Sequence, residues 1–130
     1  MTAIDLNREP DVLTDRVIGA AIEVHRQLGP GLLESVYQFA LEHELLARGI
    51  SYASEVRLPV RYKGTELDGM LRMDMVVEHE LVLELKSLDI VHAVHHAQVL
   101  TYLRLGGFSR GLLINFNVSR LANGVRRFVL

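Results

Sequence analysis

The stretch from Arg72 to Ser87 constrains the fold most strongly, because it has the pattern of two apolar strands joined by a tight turn. Charged residues interrupt both strands: Asp74 lies in the first, and Glu84 and Lys86 lie in the second. Since side chains alternate along a strand, Glu84 and Lys86 share one face. The stretch therefore predicts a β-hairpin that carries charges within otherwise apolar strands.

The register of this hairpin decides whether its two acids meet. A three-residue loop centred on His79 places Asp74 opposite Glu84, with the two Cβ atoms about 4.5 to 5.5 Å apart. A two-residue turn at His79-Glu80 pairs Asp74 with Leu85 instead, so that the two acids face opposite sides. In the first register the facing carboxylates repel each other unless a cation lies between them. A divalent metal ion with a neighbouring lysine is the obvious candidate, and the alternative is a surface ion-pair ladder on a half-solvated sheet. The sequence leaves both registers and both interpretations open.

The predicted order of elements is α-α-β-β-β-α-β-β, with the hairpin supplying the second and third strands. Capping residues, apolar periodicity and glycine stops predict helices from Asp11 or Thr14 to Leu28, from Leu33 to Arg48, and from Val91 to Leu105. The other strands are predicted at residues 55–62, 111–116 and 125–130. Because a helix separates the hairpin from the fourth strand, we expect a right-handed crossover to a parallel strand. The fold class is α/β, or α+β, with a central mixed sheet flanked by helices.

Local signals refine this prediction. Pro59 indicates that the first strand lies near an edge of the sheet, and Lys63-Gly64 is a turn. Asp89 is a candidate cap for the third helix. The odd positions of the hairpin predict one apolar face made of Met73, Met75, Val77, Leu81, Leu83 and Leu85.

The composition predicts one domain at residues 11–130, after a flexible lead-in at residues 1–10. Apolar residues make up 49% of the 130 residues, and this excess suggests a subunit interface and hence a homodimer. The net charge of −2 argues against a strong basic field, although it allows a local basic groove. The chain has no cysteine, which excludes thiolate metal ligands and thiolate nucleophiles.

Targeting and cofactor signals are also absent from the sequence. No apolar run reaches the ~18 residues of a membrane span, and the first residues lack the apolar segment of a signal peptide. We therefore expect a cytoplasmic protein without a membrane partner. Since no nucleophile elbow, phosphate-binding loop or dinucleotide fingerprint occurs, we expect no small organic cofactor.

Polar residues on the third predicted helix offer two further candidate sites. His95, Gln98 and Tyr102 fall at i, i+3 and i+7, a stripe that could hold a metal-bound water or a phosphate, or could simply face solvent. His92 and His96 have the i, i+4 spacing of two zinc ligands on a helix. An H-E-x-x-H pattern and an obvious third ligand are missing, which weakens the zinc interpretation.

The segment from Gly31 to Tyr37, GLLESVY, has the pattern G-x-x-E-x-x-Y. On spacing alone, Glu34 is a charge near a helix start and Tyr37 is a packing residue. The segments IGAAIEVHRQLGPGLLESVY, RMDMVVEHELVLELKS, HHAQVLTYLRLGG and GLLINFNV, in this order, resemble the GxxExxY proteins from about Leu13 to Val129. That family is placed in the PD-(D/E)xK nuclease-like superfamily. The resemblance implies a restriction-endonuclease-like α-β-β-β-α-β core, which agrees with the predicted order.

The resemblance also implies a catalytic set on the hairpin. Asp74 looks like the aspartate of the superfamily motif, and Glu84-Leu85-Lys86 looks like its E-x-K element. The residue before the aspartate is Met73, where the motif has a proline that is often missing in the superfamily. Lys86 would position and activate the attacking water.

The helices complete the implied set. Glu34 resembles the acidic residue that many members supply to the metal from their first core helix, and Gln98 with Tyr102 resembles the Q-x-x-x-Y of the RecB-like branch. His96 stands where many relatives have an acid. The implied ligands of one or two Mg²⁺ or Mn²⁺ ions are Glu34, Asp74, Glu84 and the carbonyl of Leu85.

Three hypotheses follow. The first is a metal-dependent nuclease that acts on DNA or RNA, for which the candidate backbone-phosphate contacts are Arg57, Arg61, Arg72 and Arg104. The second is a catalytically silent nuclease-fold module that binds nucleic acid or a protein partner. The third is a histidine-based metal protein that uses His92, His95 and His96.

Overall fold

The computed structural model describes residues 11–130, apart from the side chain of Met70. Its helices are α1 (Val12–Leu28), α2 (Glu34–Ala47) and α3 (Ala93–Gly106). Its strands are β1 (Tyr52–Tyr62), β2 (Thr65–Val77), β3 (Leu81–Lys86), β4 (Arg110–Asn115) and β5 (Val125–Val129), with a 3₁₀ turn at Leu121–Gly124. This order confirms the prediction. The predicted lead-in at residues 1–10 lies outside the described residues.

The five strands form one mixed sheet in the order β1-β2-β3-β4-β5. The pair β3–β4 is parallel, and the other three neighbouring pairs are antiparallel. The parallel pair follows from the chain order, because α3 carries the chain from the end of β3 back to the start of β4. The predicted mixed sheet and its crossover to a parallel strand are therefore confirmed.

An apolar core lies on each face of the sheet. The α1–α2 core packs the first two helices against the sheet and includes Val17, Leu41, Leu45, Leu83 and Ile114. The α3 core packs the third helix against the other face and includes Val82, Val99, Leu103, Leu113 and Phe128. Each fully buried side chain of this kind contributes about 1.5 to 3 kcal/mol. Because β3 is covered on both faces, Glu84 lies in the interior and is only 2% exposed.

The ends of the helices only partly follow the prediction. Asp11 caps α1, since its Oδ1 accepts from the backbone N–H of Thr14 at 3.0 Å. Asp89 does not cap α3 as predicted; the N-cap is His92, and Asp89 accepts from the side chain of Asn117 at 3.0 Å. The connection before α3 is instead fixed by Asn115, whose amide exchanges two hydrogen bonds of 3.0 Å with the backbone of Leu88. The helix therefore begins later than its capping signal indicates.

The hairpin of β1 and β2 is longer than predicted. Its turn is Lys63-Gly64, where both residues have positive φ (48° and 81°), and Tyr62 pairs with Thr65. The outer half of β2 lacks apolar alternation, so its sequence gives no strand signal, but pairing with β1 extends it. Pro59 lies on the edge strand at a shift of register between Leu58 and Val60, which confirms its predicted place.

The predicted apolar face of the hairpin is wrong at one residue. Met75 packs in the α1–α2 core as expected, whereas Met73 packs in the α3 core. The change of side occurs next to Asp74, opposite Glu55, which has a positive φ of 53° in the middle of β1. A left-handed residue within a strand twists it sharply. The outer half of the hairpin is therefore turned over towards α3, and Leu58 packs there as well.

Candidate active site

The register of β2 and β3 brings the two acids together. Val77 pairs with Leu81 across a loop of residues 78–80, and the pair farthest from this loop is Met75 with Leu83. Continuing this register places Asp74 opposite Glu84. The hairpin therefore has the three-residue loop centred on His79, and the alternative two-residue turn is excluded.

Beyond the pair of Met75 and Leu83, hydrogen bonds to side chains take the place of the backbone hydrogen bonds between β2 and β3. The backbone N–H of Asp74 donates to Glu84 Oε1 at 3.1 Å, and the backbone N–H of Leu85 donates to Asp74 Oδ2 at 2.8 Å. Each carboxylate thus accepts from the strand that carries the other. The two strands separate here, and the opening between them is occupied by two carboxylates.

Lys86 is a cation beside this pair. Its Nζ lies 3.7 Å from Glu84 Oε2, and the two side chains are only 16% and 3% exposed. Burial is the main cause that raises the pKa of Glu84 to about 7, and the charge of Asp74 raises it further. Burial also raises the pKa of Asp74, although its bond from Leu85 and the charge of Lys86 act in the other direction. The site therefore holds too little positive charge to keep both carboxylates fully ionised at neutral pH.

Glu34, the first residue of α2, borders the site. Its Oε2 accepts from the backbone N–H of Ser87 at 3.2 Å, just beyond the end of β3. Its charge is among the causes that raise the pKa of Asp74, so the two carboxylates lie within electrostatic reach. Within residues 11–130, however, no three His, Asp or Glu side chains are grouped closely enough to hold a metal ion. The structure thus gathers Asp74 and Glu84 into a pair, with Glu34 at its border.

Tyr37 is a packing residue, as predicted. Its fully buried ring stacks on Phe116, with centroids 4.5 Å apart. Its hydroxyl donates to the carbonyl of Gly29 at 2.6 Å and accepts from the N–H of Leu32 at 3.2 Å. These bonds hold the loop between α1 and α2 in place, and that loop leads directly into Glu34.

The stripe on α3 faces the same site. His95, Gln98 and Tyr102 line an open cleft of about 480 Å³, together with Lys86. Gln98 Nε2 donates to the hydroxyl of Tyr102 at 2.8 Å. Burial raises the pKa of the Tyr102 phenol, and the nearby charge of Glu84 raises it further. The cleft therefore presents hydrogen-bonding groups on α3 beside the two acids on the sheet.

The three histidines do not converge on one point, although the ring of His92, the N-cap of α3, lies 5.9 Å from that of His95. His95 accepts a hydrogen bond from the backbone N–H of His92 at 2.9 Å, whereas the His96 ring lies 5.8 Å from that of Phe128. No histidine belongs to a possible ligand group among the residues that the structure describes. The structure gives no support to the histidine-based metal site.

The candidate phosphate-binding arginines lie in different surroundings. Arg57 and Arg72 are exposed cross-strand partners on β1 and β2, while Arg61 lies 3.9 Å from Glu66. Arg72 lies 3.8 Å from Glu55 and is close enough for its charge to act on the phenol of Tyr102. Arg104 is exposed on α3. Among these residues, Arg72 is therefore the one linked to the site.

Two residues of the site escaped the sequence analysis. Glu55 lies opposite Asp74 and its charge raises the pKa of that carboxyl, but in the sequence it looks like one more polar residue on a solvated strand face. Thr101 lines the cleft and is three residues beyond Gln98, so helical spacing was a signal that could have identified it. Glu55 has no such signal, because its position depends on strand pairing.

The family comparison agrees with this geometry. A family model described as the PD-(D/E)XK nuclease superfamily matches residues 11–128, and the chain belongs to this superfamily. The searches of curated proteins and of solved structures found no match. The predicted superfamily and its α/β core are thereby confirmed.

None of the helices in residues 11–130 combines the length and the apolar character needed to cross a membrane.

Proposed function

We propose that this protein is a metal-dependent nuclease that hydrolyses phosphodiester bonds of DNA or RNA. The observation that carries the proposal is the meeting of Asp74 and Glu84 in the opening between β2 and β3, with Lys86 beside them. Membership of a nuclease superfamily supports the same conclusion.

The residues of the site fit a hard divalent cation such as Mg²⁺ or Mn²⁺. Such ions prefer carboxylate and carbonyl oxygens and keep several waters, so two carboxylates can suffice. The raised pKa values of Asp74 and Glu84 support this choice, because a bound metal ion would supply the positive charge that favours both ionised carboxylates. The N–H of Leu85 points towards Asp74, and the carbonyl of a strand residue points to the same side as its N–H. The carbonyl of Leu85 is therefore a further candidate ligand, and Glu34, at the border of the site, would supply a further carboxylate.

The surrounding side chains supply the remaining chemistry. When bound, the metal ion makes its water a better nucleophile and offsets charge on the phosphate. The ammonium of Lys86 orients the attacking water and stabilises the negative charge that develops on the phosphate. The Tyr102 hydroxyl accepts its hydrogen bond from Gln98, so its own proton is available to a phosphate oxygen. Its raised pKa keeps that proton in place at neutral pH.

The exposed arginine pair suits the charge of a nucleic-acid backbone. Like charges directly opposite each other on a sheet cost stability, and Arg57 and Arg72 are such partners. Arg57 forms no ion pair with any residue in the described part of the chain that would offset this cost. A phosphate lying across the pair would do so. We assign the outer half of the β1–β2 hairpin as the backbone-binding wall of the cleft.

The finer assignment to the GxxExxY proteins is part of the proposal. Gly31 has a φ of 96°, a conformation that favours glycine, and Tyr37 ties down the same loop. Both residues thereby position Glu34 at the start of α2. Each of the three defined residues of the G-x-x-E-x-x-Y pattern thus has a structural or chemical role.

A second candidate function rests on the outer surface of α2. Large apolar side chains are exposed there at helical spacing, namely Leu33, Val36, Phe39 and Leu46. Such a stripe favours contact with a protein partner, including a second copy of the chain. Under this alternative the nuclease fold is a binding module, and metal and cleavage are not required.

A cleavage assay tests the first proposal. Labelled single- and double-stranded DNA and RNA are incubated with the protein and Mg²⁺ or Mn²⁺. We expect cleavage that chelation abolishes, and a loss of at least about 100-fold in Asp74→Asn and Lys86→Met, because removal of such electrostatic groups has costs of this order. Glu23→Gln, which removes a carboxylate on α1 that pairs with Arg26, is the matched control and should cleave normally. Absence of metal-dependent cleavage in the parent, or full activity in Lys86→Met, would contradict the proposal.

A further inference from the structure

His95 has a fixed orientation at the start of α3. Its Nδ1 accepts a hydrogen bond from the backbone N–H of His92 at 2.9 Å. In a neutral imidazole one ring nitrogen accepts and the other carries the hydrogen. The bond therefore fixes the tautomer in which Nε2 carries the hydrogen. His95 is a helix-capping acceptor at one edge of its ring and a donor at the other.

The donor edge is accessible. Nε2 of His95 has no hydrogen-bond partner among residues 11–130, and in that part of the chain no buried side-chain nitrogen or oxygen lacks a partner. Nε2 therefore reaches solvent. Since the half-buried ring lines the cleft with Lys86 and Gln98, the free donor belongs to the cleft surface.

The chemistry of the cleft indicates which group the Nε2–H of His95 would bind. A nucleic-acid strand beside the site brings anionic phosphate oxygens, which accept strong hydrogen bonds. A neutral imidazole adds a donor without adding positive charge, so it would not repel the cation of the site or Lys86. Thr101 and Tyr102 supply further hydroxyl groups on the same wall of the cleft.

We propose that His95 is a further substrate-contacting residue, whose Nε2–H donates to a non-bridging phosphate oxygen of a nucleic-acid strand lying between α3 and β2. The inference rests on the proposed function, because it takes a phosphodiester as the substrate. His92 and His96 do not line this cleft. His96 therefore serves as the matched control on the same helix, since the ring of His92 lies 5.9 Å from that of His95 at the same helix cap.

Two isosteric substitutions distinguish the role of Nδ1 from the role of Nε2. In His95→Asn the amide oxygen takes the place of Nδ1 and keeps the capping acceptor, while the donor is lost. In His95→Gln the amide nitrogen takes the place of Nε2 and keeps the donor, while the capping acceptor is lost. A purely structural role makes His95→Gln the more damaging change, whereas a substrate contact makes His95→Asn the more damaging one.

The readout is the affinity for labelled single-stranded and duplex oligonucleotides, measured by anisotropy with Ca²⁺ in place of Mg²⁺. A hydrogen bond to a charged group is worth about 1.5 to 3 kcal/mol, so His95→Asn should weaken binding by about 10- to 100-fold while its Tm stays near that of the parent. His95→Gln should bind within about threefold of the parent. His96→Gln should bind normally. Equal affinities of His95→Asn and the parent would overturn the proposal, and so would a larger loss in His95→Gln.

Proton–nitrogen correlation spectra give an independent readout. We expect the Nε2–H tautomer for His95 in the unbound protein, and a shift of its Nε2 resonance when a dinucleotide is added. An Nδ1–H tautomer would overturn the proposal. If oligonucleotides bind through His95 but are never cut, the nuclease assignment alone fails; if they are cut but His95→Asn binds normally, the role of His95 alone fails. If the parent binds no oligonucleotide at all, both fail.

Discussion

Glu84 shows at the scale of one residue how a charged group is kept inside an apolar strand. It is almost fully buried in β3, accepts from the backbone of Asp74 and lies beside one lysine. Its pKa is raised to about 7, which means that the folded protein holds this proton more tightly than the unfolded chain does. The group therefore opposes folding when it is ionised, and we interpret this as the cost of a metal-binding position.

The pH dependence of the metal-free protein follows from this shift. The ordinary pKa of the carboxyl is 4.5, and the folded value is about 7. Protonation of Glu84 stabilises the folded protein fully at a pH below 4.5, and this stabilisation is lost as the pH rises through about 7. The stabilisation amounts to about 3 kcal/mol at most. Without metal, we expect Glu84→Gln to raise the free energy of unfolding at pH 8 and to have little effect at pH 4. Urea unfolding with chelator measures this.

Glu66→Gln serves as control for that experiment, because Glu66 is half-exposed and only 3.9 Å from its nearest cation. It should leave the pH dependence unchanged. A Glu84→Gln protein that is less stable than the parent at pH 8 would show that the carboxylate is already compensated within the chain.

Tyr37 gives a second prediction at this scale. Its hydroxyl joins the carbonyl of Gly29 and the N–H of Leu32 within the interior. Tyr37→Phe leaves the stacking on Phe116 in place but removes both bonds, so we expect a loss of about 1 to 3 kcal/mol in the free energy of unfolding. Tyr62→Phe is the control, since Tyr62 is 61% exposed. Equal stability of Tyr37→Phe and the parent would show that these bonds do not hold the loop.

The β1–β2 hairpin is the element that shapes the cleft. Its inner half belongs to the sheet beneath α1 and α2, and its outer half turns towards α3 at Glu55. That turn coincides with the opening between β2 and β3 in which Asp74 and Glu84 meet. The same distortion therefore creates the acidic site and places an exposed arginine pair next to it.

The salt dependence of nucleic-acid binding tests the role of this element. Each phosphate contact that is removed lowers the slope of log affinity against log salt by about 1. We expect Arg57→Gln and Arg72→Gln each to reduce the slope by about this amount, measured by anisotropy at several salt concentrations with Ca²⁺. Arg120→Gln is the control, because Arg120 lines a separate cleft beside α1. Unchanged slopes in both hairpin variants would remove the hairpin from the substrate-binding surface.

At the scale of the whole molecule, local patterns in the sequence predict most of the fold. The order of elements and the parallel pairing of β3 with β4 follow from periodicity and from the crossover helix. The outer half of β2 and the start of α3 were mispredicted, because pairing with β1 and the side chain of Asn115 decide them. These are contacts between distant parts of the chain, which local patterns do not report.

Some residues of the candidate site could likewise be predicted from local patterns, whereas others depend on contacts between distant parts of the chain. Spacing placed Glu84 and Lys86 on one face, set Asp74 opposite Glu84 in one of two registers, and gave the polar stripe on α3. The family resemblance implied the catalytic role of these residues and added Glu34 as a metal ligand. The place of Glu55 and the change of side at Met73 depend on the twist of the hairpin, and neither could be derived from alternation.

The most direct test of the central claim is an anomalous diffraction map from a crystal of the protein soaked in Mn²⁺. We predict a peak within bonding distance of the carboxylates of Asp74 and Glu84, and its loss in a crystal of Asp74→Asn. A map without a peak at these carboxylates, or with its peak at the histidines of α3, would contradict the claim that this pair is the metal site of the protein.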